Sequence, residues 1–451
     1  MFNKSKRTLG IILAGLMVTA AFAGCSSGSG STDPTKATEK KEEQGIKNYS
    51  VDDVLADAKI AMSDEDNVKL KLWAPTEAVE VFQKQCDDFC AAMKKLGKTV
   101  TVEVAAQSEA DGSTLLKTDP EAAADILGFA SDQGLDLFKG NLVTQVRLNF
   151  VEPVKESNLA GTVDTVMFKG TEDKEEMLYA YPETGDNGYV LYYDKRILND
   201  EDVKSLEGVM KVCNDQKKNL AIDMGNGYYG CIIPFTGGGT LEMAEDMVTQ
   251  KLNYDYEKIG PVADAFAEVL GTSKYFKSEN VDQTLVSGFT NGTYAGGVTG
   301  SWQANNIKDV LGDNMGCVKL PTIKVDGKDT QITSIFGYKN LGVNSKCKNQ
   351  VTAHSLTYYL SSEDCQKERF EKLSWGPSIK ALVDTDEVQN NVVLKALYDQ
   401  QQYSVPQKEI VSGWWGPTGA YSAYCVDSTK DHSEAKMKEQ FDAMVEIIEM
   451  G

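Results

Sequence analysis

The sequence predicts an α/β protein in two lobes, and three observations carry that prediction. Strand and helix patterns alternate between Val68 and Phe129. A second α/β region starts near Tyr189. About 400 residues lie beyond an N-terminal leader and tether, too many for one compact core.

Val68-Lys-Leu-Lys-Leu-Trp73 alternates apolar and polar residues, as a half-buried strand does. Pro75 and Thr76 open a helical stretch from Glu77 to Leu96. Its apolar positions Val79, Phe82, Cys86, Phe89, Ala92 and Met93 recur at helical spacing, and Gly97 stops it. Val100–Val104 is a second strand. Asp119-Pro120 is expected to open a short helix before a third strand, Asp125–Phe129. This alternation implies a mostly parallel sheet covered by helices. In the second region Tyr189–Tyr193 and Asn219–Met224 read as strands, and helix fills Asp255 to Leu270. From Val351 to Gly451 the pattern is mainly helical.

The first residues read as an export signal. Lys4, Lys6 and Arg7 precede an apolar run from Leu9 to Phe22. That run falls short of the roughly 20 apolar residues that span a bilayer. Phe22-Ala23-Gly24-Cys25 resembles the lipobox of bacterial lipoproteins, in which the leader is cut before a cysteine that then carries lipid. The resemblance implies residues 1–24 as signal peptide and Cys25 as the lipidation site. Two or more acyl chains anchor stably, since each buried CH₂ contributes about 0.8 kcal/mol. Ser26 to about Gln44 has the Gly/Ser and charged composition of a flexible tether.

Composition narrows the function. The chain is 41% apolar and 25% charged, so a core can form. Its net charge of −21 argues against nucleic acid, whose phosphates are bound by clustered Lys and Arg. Besides Cys25 there are eight cysteines, and their spacing favours free, mostly buried thiols over disulfides. His354 and His432 are the two histidines, and both read as structural. A zinc site or a serine triad therefore has little support, and neither metal nor cofactor is expected. Gly225-Asn-Gly-Tyr-Tyr-Gly230 fits a dinucleotide fingerprint literally. Pro234 and Gly237-Gly-Gly239 follow too soon for a full helix, so it reads as a cleft loop.

Several segments in order resemble the extracellular solute-binding proteins of ABC importers, in the maltose/maltodextrin-binding group (family 1). They are Tyr181-Pro182 with Val190–Lys195, Phe289–Gly292 with Gly300-Ser-Trp302, Gly316–Pro321, Val343–Ser345 and Ala353–Gln366. The resemblance runs from about Val68 to about Tyr421. It implies a periplasmic-binding-protein type fold with two discontinuous α/β lobes, an interlobe cleft, and hinge crossings near Gly185–Gly188 and Pro321–Gly327. The expected lobes are 66–185 plus 326–370 and 186–325 plus 371–451, with 25–65 as lipidated cysteine, tether and N-terminal helical extension.

By the same resemblance Trp302 matches a stacking tryptophan, Trp414 or Trp415 the other, and Tyr228 a stacking tyrosine, with its neighbour Tyr229 the alternative. Phe129 and Asp132 fall in the first-lobe contact segment, with Phe129 in place of tryptophan and Gln133 in place of arginine. Asp186 or Asn187 stands near a hinge glutamate, and Asn226 where a second glutamate is usual. The chemistry of these types suits a sugar, because flat aromatics stack on pyranose faces and polar groups bond the hydroxyl rim. The expectation is a monomeric, non-enzymatic, lipid-anchored protein on the outer face of the cell membrane. It would capture an oligosaccharide, maltodextrin-like, and deliver it to ABC permease subunits. A different solute (another glycan, a polyamine or a peptide) and a secreted glycosidase are the alternatives.

Overall fold

The computed structural model describes residue 65 and residues 67–169, 175–244 and 249–450. The expected signal peptide, Cys25 and tether lie outside the described residues. The first strand, Val68–Ala74, pairs in parallel with Val100–Ala106 along its whole length, and its end pairs in parallel with Ile126–Ala130. Helix Val79–Lys95 makes the first crossover. It buries Phe82, Cys86, Phe89, Ala92 and Met93, and Gly97 ends it at a φ of 79°. Only glycine takes that backbone conformation without a steric cost.

The second crossover differs from expectation. The helix runs from Glu109 to Thr118, before Asp119-Pro120, and residues 119–125 form a turn. Ser108 caps it by accepting from the Asp111 N–H at 3.2 Å. Gly112, Ser113 and Thr114 are weak helix formers and hid this helix in the sequence. It forms because Ser113 and Leu116 are buried against the sheet.

The order of this sheet is Ser404–Pro406, Ser334–Val343, Ile126–Ala130, Val68–Ala74, Val100–Ala106. The strand Tyr181–Asn187 also pairs with Ser334–Val343. The second sheet runs Phe276–Lys277, Asn219–Ala221, Tyr294–Gly300, Tyr189–Asp194, Met315–Val318. Tyr189–Asp194 reads apolar at every position bar its last and is buried at all six, as a central strand should be.

Two hydrophobic cores follow. One takes residues from Val68 to Tyr181 and from Leu341 to Trp375. The other takes residues from Tyr189 to Tyr338 and from Val388 to Ile448. The chain thus changes core within the strand Ser334–Val343, between Tyr338 and Leu341. The crossing expected at Pro321–Gly327 is instead a hairpin of Thr322–Val325 with Lys328–Gln331. Its turn is Asp326-Gly327, with φ values of 50° and 78°. Asp-Gly suits the two-residue hairpin turn that needs positive φ at both positions. The change of lobe expected at residue 326 accordingly comes later, inside the hinge strand Ser334–Val343.

The eight cysteines beyond Cys25 are free thiols, all buried except the half-buried Cys90. Burial pushes Cys213 and Cys231 up to about 12, so both stay protonated at neutral pH. His354 is buried. Its ring nitrogens meet the Tyr181 hydroxyl and Thr144 Oγ1, each at 2.9 Å. Trp73 and Trp375 both belong to the first core.

Candidate functional site

A cleft of about 510 Å³ opens where the two cores meet. Glu77, Ser108, Glu109, Asp132 and Gln133 line one wall, and Asn226, Tyr228, Tyr229, Asp282 and Trp302 the other. Asn187, Lys339 and Gln407 line it from the hinge.

The aromatic wall is built by close backbone packing. Asn226 caps one turn of helix, Gly227–Gly230, by accepting from the Tyr228 N–H at 3.0 Å. A Cβ on Gly227 would lie 2.1 Å from the Trp415 carbonyl oxygen. Glycine at 227 therefore lets the two chain segments touch and sets Tyr228 beside Trp415. The fingerprint-like glycines serve this packing rather than a pyrophosphate. Tyr228 is 6.3 Å from Trp415 and 6.3 Å from Trp302, tilted 47° and 46° to them. Tyr228 thus stands between the two tryptophans, tilted to each by nearly the same angle. Edge contacts with Tyr189 and Tyr229 brace Tyr228.

Trp302 is fixed at both ends. Its indole N–H donates to Asp282 Oδ1 at 2.9 Å, and the Thr299 hydroxyl donates to the same oxygen at 2.7 Å. A Cβ on Gly300 would meet the six-membered ring at 2.0 Å, so only glycine lets that ring lie there.

The hinge carries a polar chain. Gln407 donates from Nε2 to Asp132 Oδ1 at 2.8 Å, and Asn187 donates from Nδ2 to Gln407 Oε1 at 3.0 Å. Gln407 needs Gly337 opposite it, where a Cβ would lie 1.9 Å from its Oε1. Burial pushes the Asp132 carboxyl up to about 6. Behind the hinge, burial pushes Glu183 up to about 7. Burial by itself would lower the Lys339 ammonium. The Glu109 carboxylate beside it outweighs that and raises it.

Of the residues singled out in the sequence, Asp132, Asn187, Asn226, Tyr228 and Trp302 come together in the cleft. Trp415 is not among the lining residues and packs beside Tyr228, which is. Three expectations are corrected. Phe129 is 1% exposed and points into the first core, where it packs against Gly134 and Gly342. Trp414 is fully buried, stacked on Phe235 at 5.6 Å with its N–H on the Tyr254 hydroxyl. Asp186 is buried and accepts from the Gly376 N–H at 2.8 Å, so it ties two interlobe connections together. In strand and helix alike, neighbouring residues point in different directions, and a gapless aromatic pair cannot say which member faces out. Glu109, Asp282, Lys339 and Gln407 escaped the sequence reading. They are common polar types far apart along the chain, and no spacing signals them.

Among the described residues, no group of three or more His, Cys, Asp or Glu side chains is placed to hold a metal ion. His354 lies in the first core's helical layer, and His432 contacts the Tyr424 carbonyl at 3.1 Å.

Comparisons with known proteins agree with this architecture. The chain is 24% identical over 374 residues to the galactooligosaccharide-binding protein of Bacillus subtilis (strain 168), covering 78% of this chain and 82% of that one. A structure solved with acarbose superposes with a TM-score of 0.74 at 26% identity, covering 85% of this chain and 98% of the other. The maltodextrin-binding protein MalE1 of L. casei BL23, solved without ligand, gives a TM-score of 0.71 at 23% identity, covering 84% and 98%. The model of the bacterial extracellular solute-binding protein family matches residues 77–396, and with its two-lobed fold and interlobe cleft this chain belongs to that family.

Proposed function

We propose that this protein is the lipid-anchored, extracellular binding component of an ABC importer, and that its ligand is an oligosaccharide of the maltodextrin type. The observation that carries the reading is the pair Trp302 and Tyr228 in the wall of an interlobe cleft of about 510 Å³, with Trp415 packed beside Tyr228. Successive tilted rings offer apolar faces to successive pyranose rings of a curved chain. Carboxylates and amides on the facing wall and hinge, Asp132, Asn187 and Gln407 among them, accept and donate at the hydroxyl rim. Relatives named for galactooligosaccharide and maltodextrin binding, and a neighbour solved with acarbose, support a glycan ligand.

The mechanism is capture and delivery. The open protein samples closure about the hinge strands, and a ligand touching both walls favours the closed state. The closed, monomeric form docks on the permease. ATP hydrolysis belongs to other subunits, and no bond of the ligand is broken here. Cys25 and the tether hold the protein beside its transporter.

Calorimetric titration with maltotriose to maltopentaose, and in parallel with galacto-oligosaccharides, tests the ligand. The expected result is binding of the maltodextrins by the wild type and its loss in Trp302→Ala with an unchanged melting temperature. Unaltered affinity in that variant contradicts the site. New reducing ends after incubation would point to a glycosidase instead. Cys25→Ala is expected to move the protein from the membrane fraction to the medium, and an unchanged distribution contradicts the anchor.

A further inference from the structure

The two walls of the cleft differ in kind. The second lobe presents rings. Among the described residues, those lining the cleft from the first lobe include no aromatic side chain, and Phe129 is turned into the core. In place of a ring the first lobe offers an ion pair. Lys339 Nζ lies 2.9 Å from Glu109 Oε1, and the two side chains keep 13% and 17% of their exposure within the cleft lining.

The pair is rigidly mounted. Lys339 stands on the hinge strand Ser334–Val343, paired on one side with Ala130 and on the other with Thr184. Its ammonium sits 5.0 Å from the Trp375 ring centroid, on the ring face. Glu109 is the first residue of helix Glu109–Thr118, where the helix N-terminus favours a carboxylate. The nearby carboxyl groups of Glu183 and Asp186 add to Glu109 in favouring the charged ammonium, so Lys339 stays charged at neutral pH.

An ammonium has three donors and a carboxylate about four acceptor sites, so their mutual contact leaves both with capacity to spare. A partly buried ion pair contributes little to stability, because desolvation offsets the Coulomb attraction. Its value lies elsewhere. Neighbouring hydroxyl oxygens on a pyranose lie about a hydrogen-bond length apart, as the two charged groups do. One hydroxyl oxygen can accept from Lys339 while the adjacent O–H donates to Glu109. Both bonds are charge-assisted and reject a sugar that lacks either hydroxyl.

We propose that Glu109 and Lys339 form a diol clamp, the first lobe's selectivity element, which requires free vicinal hydroxyls on the sugar ring seated opposite Trp302. This rests on the glycan reading of the cleft.

The test is calorimetry on the full mature chain with maltose, 2-deoxymaltose and 3-deoxymaltose, using wild type, Glu109→Gln and Lys339→Met. Wild type is expected to bind at least one deoxy sugar about tenfold more weakly than maltose, the scale of one charge-assisted bond. Glu109→Gln is expected to bind maltose about tenfold more weakly and to lose the discrimination against that deoxy sugar, at an unchanged melting temperature. Should Lys339→Met fail to fold, because Glu183 and Asp186 lose a neighbouring cation, Glu109→Gln still decides. A parent-to-deoxy ratio in Glu109→Gln equal to that of wild type for both analogues overturns the clamp and leaves the pair as a structural tie. A wild type that binds only galacto-oligosaccharides moves the same comparison to their deoxy analogues, and one that binds neither these nor any maltodextrin overturns the glycan reading itself, so the two failures are told apart by the first titration.

Discussion

Trp414 and Trp415 are adjacent, yet their surroundings separate them completely. Trp414 is sealed between Phe235 and the second core, while Trp415 lies half-buried beside Tyr228. Trp414→Ala is expected to cost about 3–5 kcal/mol of stability, the range for emptying a buried aromatic site. Trp415→Ala is expected to weaken glycan binding with little effect on stability. Urea denaturation and calorimetry on the two variants separate these outcomes. Gly227 makes a second prediction at this scale. A methyl group there collides with the backbone oxygen of Trp415, which cannot swing away as a side chain could. Gly227→Ala is expected to lose about 1–3 kcal/mol by overpacking. It should also weaken binding, because Tyr228 and Trp415 are pushed apart. A melting temperature equal to that of wild type would contradict this.

At the scale of elements, helix Gln350–Leu360 ties a titration to stability. It carries His354, which burial, and next the Arg147 charge, lower to about 4. The unfolded chain has the ordinary histidine value of about 6.5. The folded state favours the neutral ring, so its contribution is complete above about pH 6.5 and is lost as pH falls towards 4. Glu183 and Asp132 act with the opposite sign. Their folded values are raised, to about 7 and about 6, so their contribution is present in acid and lost as pH rises through those values. Comparing wild type with His354→Gln by chemical denaturation isolates the histidine. The wild type should lose up to about 3 kcal/mol relative to the variant between pH 6.5 and 4, because each tenfold change in proton affinity is worth about 1.4 kcal/mol. A constant difference across that range contradicts the assignment. The helices and strands themselves were mostly legible in the sequence. Val79–Lys95 shows a clean apolar stripe and a glycine stop, and Val68–Ala74 a clean alternation. Glu109–Thr118 was missed, because burial against the sheet overrides its poor intrinsic propensity.

For the whole molecule, the hinge strands decide how the lobes communicate. Tyr181–Asn187 and Ser334–Val343 run antiparallel between the cores, and Asp186 binds the third connection through the Gly376 N–H. Rotation about so short a hinge is expected to narrow the cleft when both walls share a ligand. Small-angle scattering with saturating maltodextrin should show a smaller radius of gyration than without it. An unchanged radius, with binding confirmed, would contradict closure.

The sequence by itself determined the two α/β lobes, the glycine-rich settings of Trp302 and of the Tyr228-Tyr229 pair, and the strongly negative net charge. Each of these depends on local periodicity, local backbone freedom or summed charge, which a one-dimensional reading contains. Tertiary structure alone decided that the chain changes lobe inside Ser334–Val343 rather than at the Asp326-Gly327 turn. It also decided that Trp414 is sealed in the second core while Trp415 stays half-buried beside Tyr228, and that Glu109 reaches Lys339 across more than two hundred residues of chain. These outcomes rest on which groups become neighbours when both cores close. That is a property of packing and of distances between remote segments, and no local pattern encodes it.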